Sequence, residues 1–149
     1  MNHLESTKTV ASIGTADTAS NATFSHVIDT LGYDYASVDV VLEATTASAD
    51  ALALALQLQQ SDTNADTAYA GITQFVGGGS GGFTIPTTSS SSASNIARFN
   101  VDLRGRRRYL RVRATPKTAS VICSVVRLGK ADVGPVSASE VGVGVVVSG

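Results

Sequence analysis

The sequence predicts an all-β fold: a β-sandwich or jelly-roll-like single domain with extended N- and C-terminal arms. Three observations carry this. Apolar residues recur at every second position in several segments, the period of a half-buried strand. These segments are short and bounded by turn residues, which gives about seven or eight strands, the pattern of sandwiches and jelly rolls. No segment reads better as a helix than as a strand. The length of 149 residues fits one domain. A chain of this size hides roughly 68–70% of its unfolded surface and needs neither disulfide nor metal to hold a core.

Residues 1–22 are polar and lack apolar periodicity, so they read as an N-terminal arm with one short strand near Thr9–Ile13. The sandwich spans residues 23–130. Thr23–Thr30 alternates weakly through Phe24, Val27 and Ile28, and Gly32-Tyr33-Asp34 signals a turn. In Tyr35–Glu43, Val38, Val40 and Leu42 point one way and Ser37, Asp39 and Val41 the other. Ala51–Gln60 has helix-favouring Ala and Leu, but Leu52, Leu54, Leu56 and Leu58 recur strictly every second residue. Only a strand puts all four on one face, so pattern overrides propensity. Ser61–Thr67 closes a hairpin onto a strand at Ala68–Phe75, and a low-complexity Gly/Ser-rich loop covers residues 77–94. Phe99, Val101 and Leu103 face inward, as do Leu110, Val112 and Ala114, and the two strands read as a hairpin turning at Gly105. Ser120–Leu128 is apolar on both faces, as a central strand is. Residues 131–149 form a C-terminal arm. It carries no charge after Glu140, and Val141, Val143, Val145 and Val147 alternate with Gly142, Gly144 and Val146. Ordering glycines is costly, and an uncharged β-prone segment is a hazard without a partner, so this arm is expected to dock on a neighbour.

Aromatics are 5% of the chain, with no Trp, which argues against a deep aromatic ligand pocket. Cys123 is the only cysteine, so no internal disulfide or thiolate zinc cluster can form. In Val121-Ile122-Cys123-Ser124-Val125 it reads as a small buried hydrophobe. Neither a signal peptide nor an apolar run long enough to cross a membrane is visible, which points to a soluble protein made in a cytoplasm. The net charge of −1 hides a split. Residues 1–97 hold Lys8 against nine acids, a net of −8, and residues 98–149 hold ten bases against three acids, a net of +7. Such a split suits a nucleic-acid partner, or self-association of basic part to acidic part.

The densest chemical signal is arginine. Arg98, Arg111 and Arg113 share the outward phase of the two strands read as a hairpin, and Arg104, Arg106, Arg107 and Arg108 crowd its turn. Arginine forks suit carboxylate and phosphate equally. Docking on an acidic protein surface is the leading reading. A solvated face with local pairs such as Asp102 comes next, and nucleic acid last, because Tyr109 is the only outward aromatic there for stacking bases. Asp62-Thr63-Asn64-Ala65-Asp66 starts like a calcium loop, but Thr67 and Thr73 stand where Gly and Glu belong. Gly77–Gly82 lacks the Lys and following helix of a phosphate loop. With only His3 and His26 no Ser-His-Asp arrangement can be argued. The chain is expected to have no catalytic residues, cofactor, metal or small-molecule substrate.

Three segments carry a resemblance: Tyr35-Ala36-Ser37-Val38-Asp39-Val40, Leu56-Gln57-Leu58-Gln59-Gln60-Ser61-Asp62, and Phe99-Asn100-Val101-Asp102-Leu103-Arg104-Gly105-Arg106-Arg107-Arg108-Tyr109-Leu110. Over about residues 23–130 the chain resembles small structural proteins of tailed bacteriophages, some of which are capsid cement, or decoration, proteins. The resemblance implies a virion protein on the capsid exterior that binds the major capsid protein and itself, with a homotrimer favoured over a dimer. The alternatives are a head–tail or tail structural protein and, behind it, a nucleic-acid-binding β-module using the arginines.

Overall fold

The computed structural model describes residues 7–11, 16–18, 22–43, 51–87 and 94–131. In chain order the strands are β1 (Thr7–Ala11), β2 (Ala16–Thr18), β3 (Phe24–Asp29), β4 (Tyr33–Leu42), β5 (Ala53–Ser61), β6 (Ala70–Val76), β7 (Asn95–Asp102), β8 (Tyr109–Pro116) and β9 (Ser120–Ala131). A single 3-10 turn, Asp66–Ala68, lies between β5 and β6. One sheet runs β1-β9-β4-β7, with β2 also on β9, and the other runs β3-β8-β5-β6, all antiparallel.

The pairing is nested. About the β5–β6 connection, β5 pairs β6, β4 pairs β7, β3 pairs β8, and β1 with β2 pairs β9. The chain is therefore one long hairpin whose successive rungs alternate between two sheets, which is the jelly roll. The all-β sandwich expected from the sequence is the fold of this protein.

The core is one cluster built from the inward phase of both sheets. Val38, Val40, Leu58, Leu110, Val112, Ala114, Val126 and Leu128 are all fully buried. Branched aliphatic side chains fit a pleated surface, and the period of two sends each to the same side. Ser124 shares that phase on β9 and is buried too.

Five expectations are corrected in detail. β7 and β8 are not a hairpin: β7 lies on β4, whereas β8 lies between β3 and β5 in the other sheet. Their alternation reads the same side by side or face to face across a core, so periodicity could not separate the two. The crossing turns at Gly105, whose φ of 90° suits glycine, and the Arg106 N–H donates to the Leu103 carbonyl. Second, Leu52, Leu54, Leu56 and Leu58 do not share one face. The register slips between Ala53 and Ala55, so Leu52, Ala53, Leu56 and Leu58 are buried and Leu54 is 53% exposed. Third, Cys123 lies half-buried on the outer face of its sheet, because Ile122 and Ser124 take the inward phase. Fourth, the turn after β3 falls at Leu31-Gly32, and Tyr33 and Asp34 already belong to β4. Fifth, the early part of the Gly/Ser-rich loop is tied down. Ile85 is buried, the Leu52 N–H donates to the Pro86 carbonyl, and Ala51 bridges Thr87.

Within the segment read as an N-terminal arm, β1 and β2 lie along β9, with Thr7 opposite Gly129 and Thr18 opposite Ser120. Most of the C-terminal arm, including Val141, Val143, Val145 and Val147, lies outside the described residues.

The bulge on β5 makes a direct contrast. Leu58→Ala is expected to cost about 2–5 kcal/mol, the range for a buried leucine. Leu54→Ala should stay within about 0.5 kcal/mol, as an exposed site does. Urea unfolding of both variants checks this, and equal losses would mean that the leucines share one buried face.

Candidate interaction surfaces

Nested pairing sets the arginines beside the acids of the other half. Asp39 and Arg98 are cross-strand partners on β4 and β7, and the Arg98 Nη2 donates to Asp39 Oδ2 at 2.9 Å. Arg108 Nη2 donates to Asp29 Oδ2 at 2.7 Å, Arg107 approaches Asp62 at 3.5 Å, and Lys130 meets Asp34 at 2.7 Å. Arg111 reaches Asp66 at 3.1 Å. Each of these pairs joins an acid before residue 98 to a base from residue 98 onward. Arg104 instead takes its neighbour Asp102, at 2.7 Å. The charge split of the sequence is thus met within one chain.

These pairs lie at or near the surface, where an ion pair contributes about 0–1 kcal/mol. Their pKa directions agree with the geometry. The hydrogen bond from Arg108 holds the Asp29 carboxyl below its usual range, and that from Arg98 does the same for Asp39. The hydrogen bond from Arg104 brings Asp102 down to about 2.

The arginines divide into three places. Arg104, Arg106, Arg107 and Arg108 gather on the β7–β8 crossing, at the end of the sandwich where the β3–β4 turn and the β5–β6 connection also lie. There the Tyr35 ring has Arg104 at 5.1 Å and Lys130 at 5.9 Å from its centroid. Leu31, 66% exposed, stands on the neighbouring turn. Arg98 is on the outer face of the sheet containing β4 and β9. Arg111 and Arg113 are on the outer face of the other sheet, so the single patch expected from a β7–β8 hairpin does not exist.

Arg111 is the most firmly held. Its side chain is 12% exposed, its Nε donates to Gln59 Oε1 at 2.7 Å, and its guanidinium lies 4.1 Å from the Tyr69 ring centroid. Burial pushes the Tyr69 phenol up. Arg113 sits between Ser25 and Gln57 in register, without an ion pair among the described residues. Arg106 likewise has none there.

Two features went unseen in the sequence. On the outer face of the β4–β9 sheet, Val41 lies opposite both Cys123 and Ile96, and Val121 and Val125 flank Cys123 in the same phase. Ile96 is 60% exposed, and the valines are half-buried. The two-faced apolarity of Ser120–Leu128 is the signal in the sequence that points to it. The second is an apolar slot of about 310 Å³ where the edge strands β6 and β7 come together. Phe75 and Phe83 stand edge-on to Phe99 at 5.7 and 5.2 Å, with Pro86 and Ala97 beside them. Three of the four phenylalanines thus meet at one lateral opening. Asp62 and Asp66, which opened the calcium-like run, each face an arginine.

No family model matches the chain, and no curated protein matches it either. The fold defines its class: an all-β jelly roll, a scaffold that hosts capsid, lectin and cupin domains alike.

Two outcomes follow from the pairs. An acid with a folded pKa below its unfolded value adds stability that is full above about pH 4 and is lost as pH falls through the folded pKa. Asp29 and Asp39 are such groups, so the urea midpoint should drop between pH 5 and pH 2, and Asp39→Asn should make that drop shallower. Arg111→Lys, which loses the planar fork, is expected to cost about 1 kcal/mol. Arg113→Lys should be silent, and thermal unfolding of the two variants compares them.

Proposed function

We propose that the chain is a structural protein of a phage virion, of the capsid cement type, which binds the major capsid protein and stabilises the shell. The observation that carries this reading is the apolar row Ile96–Val41–Cys123, with Val121 and Val125, on the outer face of the central strands. An outward apolar patch on a two-layer sandwich favours a protein partner. The resemblance of residues 23–130 to phage structural proteins supports the same class.

Three arginines of the basic crossing, and two on the outer faces of the sheets, are engaged within the chain. Arg98, Arg104, Arg107, Arg108 and Arg111 already hold carboxylates. An acidic partner or a phosphate backbone would have to displace them, which weakens nucleic acid as a partner. Adhesion through a flat apolar face, repeated by several copies of an oligomer, gives avidity from modest contacts.

Co-sedimentation of the purified chain with shells lacking it tests the reading. Binding that saturates at one copy number is expected, and Ile96→Asp should weaken it by roughly tenfold or more, the effect of about 1.4 kcal/mol. A chain that ignores shells and binds DNA with steep salt dependence would overturn it. Signal confined to one vertex of labelled particles would move the protein to the head–tail junction.

A further inference from the structure

Strand β7 combines three properties. Among the described residues it is an edge strand, with β4 as its one partner in the sheet. It is regular, since Asn95–Asp102 pairs with Tyr35–Leu42 without a register shift. It also borders the phenylalanine slot through Ala97 and Phe99. The other edges lack this combination: β1 and β2 make a broken strand, β3 is shorter, and β6 carries a register shift against β5. A long regular edge beside an apolar opening is a template for strand addition.

The sequence contains a segment with the matching pattern. Along β7 and its continuation the inward positions are Ala97, Phe99, Val101 and Leu103. In Val141-Gly142-Val143-Gly144-Val145-Val146-Val147 four valines recur with the same period. An antiparallel alignment sets Val141, Val143, Val145 and Val147 opposite Leu103, Val101, Phe99 and Ala97. The same alignment puts Glu140, the one acid after Asp132, opposite Arg104. It puts Gly144 and Gly142 opposite Asn100 and Asp102, where no side chain is needed.

We propose that residues 141–147 of a second copy add as an antiparallel strand to the outer edge of β7, with their valines covering the slot formed by Phe75, Phe83 and Phe99. The nine residues 132–140 that follow β9 span up to about 30 Å, at about 3.3 Å each, enough to leave one subunit and reach another. Each copy gives one strand and takes one, and a discrete oligomer results where the rotation between copies closes the contact. The proposal rests on the reading of the chain as a self-associating structural protein, and it names the surface of that association.

Sedimentation equilibrium of the full chain, with hydrogen exchange along residues 95–102, tests it against the double variant Val143→Lys, Val145→Lys. These two positions lie outside the described residues, and circular dichroism of the sheets checks that the variant keeps the fold. A discrete oligomer is expected for the parent chain. The variant should associate at least roughly tenfold more weakly and exchange its β7 amides at least roughly tenfold faster. An oligomer indifferent to the lysines would overturn the proposal. So would a monomeric parent whose β7 amides are nevertheless exposed by the variant, because the segment would then be supplied by its own chain. An oligomer that dissociates as expected but ignores capsid shells would uphold strand addition and remove the cement reading. A monomer that binds shells would do the reverse.

Discussion

The constraint on which the rest of this structure depends is the pairing of the first half of the chain with the second, rung by rung, about the β5–β6 connection. β4 illustrates it. The strand takes β7 on one side and β9 on the other, both from the second half, over nearly its whole length. Every rung beyond the β5–β6 hairpin joins residues far apart in sequence, so loop-closure entropy is met before those contacts contribute, a regime of slow folding. What offsets that entropy is a core filled by branched aliphatics whose inward phases from both sheets interlock. Pairing and packing are therefore one requirement: a slip of one residue in any rung would turn its valines and leucines to solvent.

The same pairing explains the electrostatics. A chain with an acidic first half and a basic second half would be poorly mixed as a linear polymer. Folded as a nested hairpin, it sets Asp39 across from Arg98 and brings Asp29 to Arg108 and Asp34 to Lys130. Individually these surface pairs contribute little. Collectively they favour one register over its neighbours, because a slipped rung moves an acid such as Asp39 off its base. They also leave the basic crossing largely neutralised.

Beside the paired charges the surface also carries apolar features. The outer row around Val41 and Cys123 is made by strands whose other faces build the core, and the lateral slot around Phe99 is the open margin of the core itself. Edge strands and outward apolar rows carry an aggregation risk that a partner removes. An assembly protein has use for such surfaces, whereas an enzyme on the same fold would need convergent polar groups in a cleft.

The sequence by itself determined the strands and their inward residues. Val38, Val40 and Leu42, then Phe99, Val101 and Leu103, then Leu110, Val112 and Ala114 were each legible, because period-two alternation is a local property of a half-buried strand. It also determined the all-β class. The tertiary structure alone decided which strands are neighbours. Arg98 and Arg111 have the same outward phase, yet they stand on opposite sides of the sandwich, since alternation does not distinguish a strand beside from a strand across. The bulge that exposes Leu54 and the clustering of Phe75, Phe83 and Phe99 were hidden for the same reason. Each depends on contacts between residues remote in the chain, and no local pattern encodes which remote residues meet.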